Sequence, residues 1–346
     1  MRVLMILVSL ILLVAVPAAA MDMTAPPAPE QAQKYLPDEM ESFIDGLRFV
    51  IKNAISKVQP SIAEGLEICV SLVAVALLIG LIAEISCNAR KLIELAGMAT
   101  VGVLLFRPTN SLIGLGTEII QQISQYGKLL LPVMTSAMAA QGAVAKSGAI
   151  YAATAFFDAF LSSTISVLLL PLLYILLSVS IACNLFQQPL LKDMRKFLKW
   201  LLVWSLKTIL YIFTGYISIT GVVGGTTDAT MLKATKLTIS GMIPVVGNIL
   251  SDASEAVLVS AGLVKNAVGI YGLLVIIALW IGPFVQIGIQ YLMLKATAGI
   301  CEMFGTKPIA ELIKDFSSAM GLVLAMTGTM CLIFVISTIC FLKGVT

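Results

Sequence analysis

Asp252 and Glu255 stand three positions apart in the stretch Gly241-Met-Ile-Pro-Val-Val-Gly-Asn-Ile-Leu-Ser-Asp-Ala-Ser-Glu255. On a helix that spacing puts both carboxylates on one face. Turned toward water inside a membrane, they form an acidic patch along a path. Turned toward the external interface, they are a solvated edge. The stretch is apolar enough to enter a bilayer, yet it holds Pro244, Gly247 and Asn248. Lipid accepts neither free backbone groups nor unpaired charge, so a broken apolar segment marks a pathway or backbone buried in protein. A milder version, Leu131-Pro-Val-Met-Thr-Ser-Ala-Met-Ala-Ala-Gln-Gly142, is centred on Pro132. The Gly-rich Gly221-Val-Val-Gly-Gly-Thr-Thr-Asp228 lacks the Gly-Lys-Ser/Thr of a phosphate-binding loop and reads as a turn from which Asp228 starts a helix. Pro132, Asp228, Pro244, Asp252 and Glu255 are therefore the candidate path or partner contacts.

Other chemistry is scarce. The chain has no histidine, which removes imidazole acid–base catalysis and imidazole metal ligation. Its six cysteines (Cys69, Cys87, Cys183, Cys301, Cys331 and Cys340) include no Cys-x-x-Cys pair and mostly sit in apolar runs, as small fillers do. No Gly-x-Ser-x-Gly or His-Glu-x-x-His pattern occurs. The expectation is a protein that is not an enzyme and uses no cofactor, metal or nucleic acid.

The elements that must hold these residues follow from composition. Of 346 residues, 59% are hydrophobic and 12% charged, with a mean hydropathy of +1.01. Soluble domains carry roughly 25% charged residues, so the chain reads as polytopic in the bilayer. Residues 1–20 read as a signal peptide: Arg2, the apolar run Val3–Val16, then Ala18-Ala19-Ala20. Residues 21–60 form an extracytoplasmic segment, Pro-rich and then acidic. Within it Phe43, Ile44, Leu47, Val50, Ile51, Ala54 and Val58 fall at the spacing of an amphipathic helix, interfacial or docking in role.

The expected fold is all-α, with about six transmembrane helices and two broken or re-entrant segments. Spans are expected at 66–86, 92–106, 161–183, 197–219, 270–294 and 319–342. The broken segments cover 129–157 and 229–265. Arg90 and Lys91, then Lys192, Arg195, Lys196 and Lys199, then Lys295, Lys307 and Lys314 occupy three segments that the positive-inside rule places in the cytoplasm. Parity then requires 107–158 and 220–265 each to cross an even number of times, zero or two. Asp158, at the mouth of the third span, would cap it. Lys207 would face a protein interior or snorkel. Trp200, Trp204 and Tyr211 suit an interfacial belt.

A same-direction duplication is also expected. Arg90-Lys91-Leu92-Ile93 resembles Arg195-Lys196-Phe197-Leu198, 105 positions on, while Pro132-Val133 and Pro171 recur 112 positions on as Pro244-Val245 and Pro283. Membrane repeat 1 is placed at 61–160 and repeat 2 at 161–300, with 301–346 a partial third unit. Parallel repeats are a transporter and channel design. Small residues at four-residue spacing, Ala139/Ala143 and Ala149/Ala153, allow close helix packing, within the chain or between copies.

The combination Ile243-Pro-Val-Val-Gly-Asn-Ile-Leu-Ser-Asp-Ala-Ser-Glu255, with Leu263-Val-Lys-Asn-Ala-Val-Gly-Ile270, Gly224-Gly-Thr-Thr-Asp228 and Leu131-Pro-Val-Met-Thr135, resembles the stage III sporulation protein AE family from about residue 34 to the end. The resemblance implies a mother-cell protein of endospore formers, in the membrane around the forespore. It implies a subunit of a channel, secretion or feeding complex needed for late forespore gene expression. Implied partners are ring-forming membrane proteins and a cytoplasmic ATPase. A homo-oligomer is a further possibility. The resemblance brings no catalytic residues. The alternative expectation, from the repeats and acids alone, is a self-contained secondary transporter whose broken segments form the substrate path.

Overall fold

The structure, a computed structural model, describes residues 24–37, 42–85, 90–242, 247–304 and 307–343; for 90, 220–242, 247–262 and 264 it describes helical backbone only. The described residues are all-α. The helices are α1 (Glu30–Gln33), α2 (Phe43–Ser56), α3 (Gln59–Ile85), α4 (Arg90–Ala140), α5 (Val144–Thr164), α6 (Leu170–Phe186), α7 (Pro189–Met242), α8 (Gly247–Met303) and α9 (Lys307–Lys343), with a π turn, Ile165–Leu169, joining α5 to α6. Six helical segments are long and apolar enough to cross a membrane: Phe43–Ile85, Lys91–Ala140, Val144–Phe186, Pro189–Ile219, Lys265–Met303 and Lys307–Lys343.

Local sequence explains where several elements begin and bend. Ser42 caps α2: its Oγ accepts from the Asp45 backbone N–H at 3.2 Å and donates to the Asp45 carboxylate at 2.6 Å. A side-chain acceptor at this position satisfies a helix-end N–H that has no partner in the helix. Gly46, Val50 and Ala54 then form the buried face of α2, one turn apart, and α2 packs on α8. The π turn comes just before Pro171, whose ring nitrogen cannot donate. The wider turn, with Leu170 N–H bonded to Ile165 O, re-registers the backbone there. The Pro283 expected to mirror Pro171 lies instead inside the uninterrupted α8.

Pro132 does not break its helix. Pro108 and Pro132 both lie inside α4, and the chain turns only at Gln141–Ala143. There Gly142 adopts φ 89° and closes the helix, with Gly142 N–H on Ala139 O at 2.8 Å and Ala143 N–H on Met138 O at 3.3 Å. A glycine takes this left-handed backbone without steric cost. The buried Leu130, Leu131, Met134, Ala137 and Met138 clamp α4 on either side of Pro132, and neighbouring helices of this kind let membrane helices keep interior prolines. The segment 107–158 is thus the two arms of a helical hairpin. Pro244 lies outside the described residues.

The helices differ in what their apolar character serves. Within its most apolar stretch, 61% of α9 is buried against only 17% of the Phe43–Ile85 segment. α9 is the central helix, packed against α4, α5, α6, α7 and α8, with Phe316, Phe334 and Phe341 fully enclosed. The α3 surface carries exposed Ile62, Leu66, Val70, Leu78, Leu81 and Ile82, suited to lipid. Close approach of α4 to α9 depends on Gly127, where a Cβ would overlap the Phe334 ring, and on Gly116, where one would meet Val323.

Candidate water-facing face and buried polar clusters

α4 has 51 residues. At about 1.5 Å per residue it is ~75 Å long, more than twice the ~30 Å hydrocarbon core of a bilayer. Its middle is two-faced. Leu112, Ile113, Ile119, Ile120, Ile123 and Leu130 are buried toward the bundle. The outward positions are Arg107, Ser111, Gly114, Glu118, Gln121, Gln125 and Lys128, alternating by four and three, and every one is exposed. Between Phe106 and Leu129 no large apolar side chain of α4 is exposed. From Arg107 to Lys128 the polar face runs roughly 32 Å, about the thickness of the hydrocarbon core. A face with two cations, an acid and two amides is unsuited to lipid and calls for water or protein.

Other exposed faces have the opposite character. Phe156 and Phe160 stack on α5 with centroids 6.1 Å apart. Phe197, Trp200 and Trp204 form an exposed ladder on α7 with 5.9 Å steps. They stand beside the basic start of α7. Lys207, farther along the same helix, is exposed and points away from the bundle.

Two polar clusters lie inside. In the first, Asp158 is 1% exposed. Its Oδ2 accepts from Ser124 Oγ of α4 at 2.9 Å, and its Oδ1 has no hydrogen-bond partner among the described residues. One turn earlier Thr154 Oγ1 donates to Ile150 O at 2.8 Å and lies 2.6 Å from Ser337 Oγ of α9, which then donates to it. Asp158 is not the cap expected from sequence. It sits mid-helix in α5, and the run Ser162–Thr164 continues the helix.

The second cluster joins α6, α7 and α9. Asp315 accepts from Arg195 Nη1 at 2.5 Å, Lys199 Nζ at 2.9 Å and Asn184 Nδ2 at 3.3 Å, while Glu311 lies 4.0 Å from Arg195. The Asp315 side chain is 5% exposed and that of Arg195 16%. The contact brings the end of α6 and the starts of α7 and α9 to one end of the bundle, where the basic segments lie. Sequence reasoning assigned Arg195 and Lys199 to topology and missed Asp315, because the partners are 120 and 116 positions apart.

Of the sequence-predicted contacts, Pro132 is half-buried on α4. The segment 221–228 is not the expected turn: its backbone is helical within α7, so Asp228 starts no helix, while Asp252 and Glu255 fall on the helical backbone of α8; the side chains of all three lie outside the described residues. Among the described residues no group of three or more Cys, Asp or Glu is placed to hold a metal ion.

The family model described as stage III sporulation protein AE matches residues 38–344, and the chain belongs to that family. The stage III sporulation protein AE of Bacillus subtilis (strain 168) is 25% identical over 238 residues, which are 68% of this chain and 60% of the relative. The chain thus spans 60% of the length of the curated relative it matches. No solved structure matches it.

Proposed function

We propose that this member of the stage III sporulation protein AE family is a non-enzymatic integral membrane subunit of a transenvelope channel or secretion complex between mother cell and forespore. In this reading it resides in the mother-cell membrane around the forespore, with its N-terminus extracytoplasmic after signal cleavage. It works with ring-forming membrane proteins and a cytoplasmic ATPase and sustains late forespore gene expression. The observation that carries the reading is the α4 polar face. A sporulation-family protein with six bilayer-length apolar helices also carries a hydrophilic face about as long as the hydrocarbon core is thick, which suits a water-filled path or a partner seat.

The test replaces the middle of that face by Glu118→Leu, Gln121→Leu and Gln125→Leu in the native host. The triple variant should accumulate in membranes at the wild-type level while late forespore gene expression falls to that of the deletion strain. Undiminished late expression from the variant contradicts the reading.

Asp158 favours a second reading, a self-contained secondary transporter, because a buried carboxylate with an unmatched oxygen is a common coupling-ion element. Ion-coupled uptake by the purified chain alone in liposomes, lost in Asp158→Asn, would establish it over the first.

A further inference from the structure

The segment before α2 lies along one flank of α4 and meets the edge of its polar face at Glu118. Gln31 Nε2 donates to Glu118 Oε1 at 2.8 Å, and Glu118 also accepts from Gln122 at 3.0 Å. Ala28 and Ala32 are buried in the main core. Tyr35 packs on Gly282 of α8 so closely that a Cβ there would lie 2.6 Å from its hydroxyl oxygen. Lys57 holds the same segment from below, donating to Lys34 O at 2.6 Å and lying 4.8 Å from the Tyr35 ring centroid. Between this segment and α4 is a cavity of about 340 Å³. Pro27, Gln31, Gln122, Gln125 and Tyr126 line it, and beneath the cover the Tyr126 hydroxyl and Gln122 Oε1 are buried without hydrogen-bond partners among the described residues.

These contacts hold the segment lightly. It contains one four-residue helix and buries only Pro26, Ala28 and Ala32, with Ala25, Tyr35 and Leu36 half-buried against the core, whereas α4 is locked by a row of isoleucines and leucines. Local opening free energy follows the apolar contact a segment makes, so this segment is the first to release. Its removal also exposes a donor and an acceptor on α4 that the closed state leaves unmatched, so opening returns hydrogen bonds to water that closing withholds.

We propose that residues Ala25–Leu36 are a displaceable strap that covers the flank of α4 beside its polar face, over Gln122 and Tyr126, in the resting protein. The proposal rests on the reading of that face as water-facing. The test uses the full chain produced in the cell membrane of vegetative cells, in a cysteine-free background, with a membrane-impermeant thiol reagent. Gln121→Cys, on the exposed side of α4, reports whether the face meets water. Gln122→Cys, half-buried beneath the strap, reports the cover. Gln121→Cys should label with the strap intact. Gln122→Cys should label slowly, and several-fold faster when Gln31→Ala and Tyr35→Ala are added. Gln31→Ala alone, which removes only an exposed hydrogen bond, should give a smaller rise in the same direction and guards against misfolding by the double change. Labelling of Gln121→Cys with no acceleration at Gln122→Cys overturns the strap. Failure of Gln121→Cys to label overturns the water-facing reading, and the strap proposal with it.

Discussion

The Asp315 carboxylate on α9 lies 2.5 Å from the Arg195 guanidinium on α7, with Lys199 on its other oxygen at 2.9 Å. One buried acid therefore pairs with two cations that otherwise belong to a basic segment, and it pins the central helix to its neighbour. Removing one member of a buried charge pair leaves the other uncompensated, at a cost of about 3–5 kcal/mol. Asp315→Ala should accordingly lower the unfolding temperature in detergent sharply. Arg195→Met with Asp315→Leu should recover most of the loss, because the pair is replaced by apolar volume. Equal destabilisation by the single and double variants would show that the pair is not the source.

Ser124 and Asp158 behave differently, since only one oxygen of the carboxylate is engaged. Ser124→Ala leaves both carboxylate oxygens unmatched and should be the more damaging single change. Asp158→Ala leaves one hydroxyl without its acceptor, a cost of about 1–3 kcal/mol. Ser124→Ala with Asp158→Ala should fall close to the wild type. Unfolding of the four proteins under one detergent condition gives the order directly.

Gly127 against Phe334 is a packing relationship without polar terms. Gly127→Ala should destabilise by about 1–3 kcal/mol through overpacking, and Phe334→Leu should partly rescue it by freeing ring volume. A Gly127→Ala protein as stable as the wild type would mean that α4 and α9 are farther apart than described.

Gly142 should be sensitive for a backbone reason. At φ 89° any side chain is strained, so Gly142→Val should cost about 1–2 kcal/mol or more, while Gly148→Ala, where nothing lies within 4 Å of a new Cβ, should be neutral. Thermal unfolding of the two variants side by side checks the contrast.

These residues show what the sequence made legible. Apolar runs identified the helices, because each is a local signal written in consecutive residues. The turn of the first long hairpin was placed in the right segment but pinned on the wrong residue. Proline is a strong breaker in water, yet α4 keeps its course through Pro132 because buried neighbours on both sides hold it, and the glycine ten positions later makes the turn. Asp315 and Asp158 were illegible for a different reason. Their partners stand on other helices, and Arg195 already had a sufficient explanation in topology. The alternation of α4 is legible in the sequence, since Arg107, Ser111, Gly114, Glu118, Gln121, Gln125 and Lys128 carry a three–four period. Asp252 and Glu255, the acids that first drew attention, lie where the side chains are not described.

The most direct test of the account is a cysteine scan of α4 from residue 105 to 130, with the full chain produced in the cell membrane of vegetative cells and read with a membrane-impermeant thiol reagent. The account predicts labelling at 107, 111, 114, 118, 121, 125 and 128, with protection at 113, 119, 123 and 130 between them. Protection across the whole segment, or labelling without the three–four period, would contradict a continuous water-facing face on this helix.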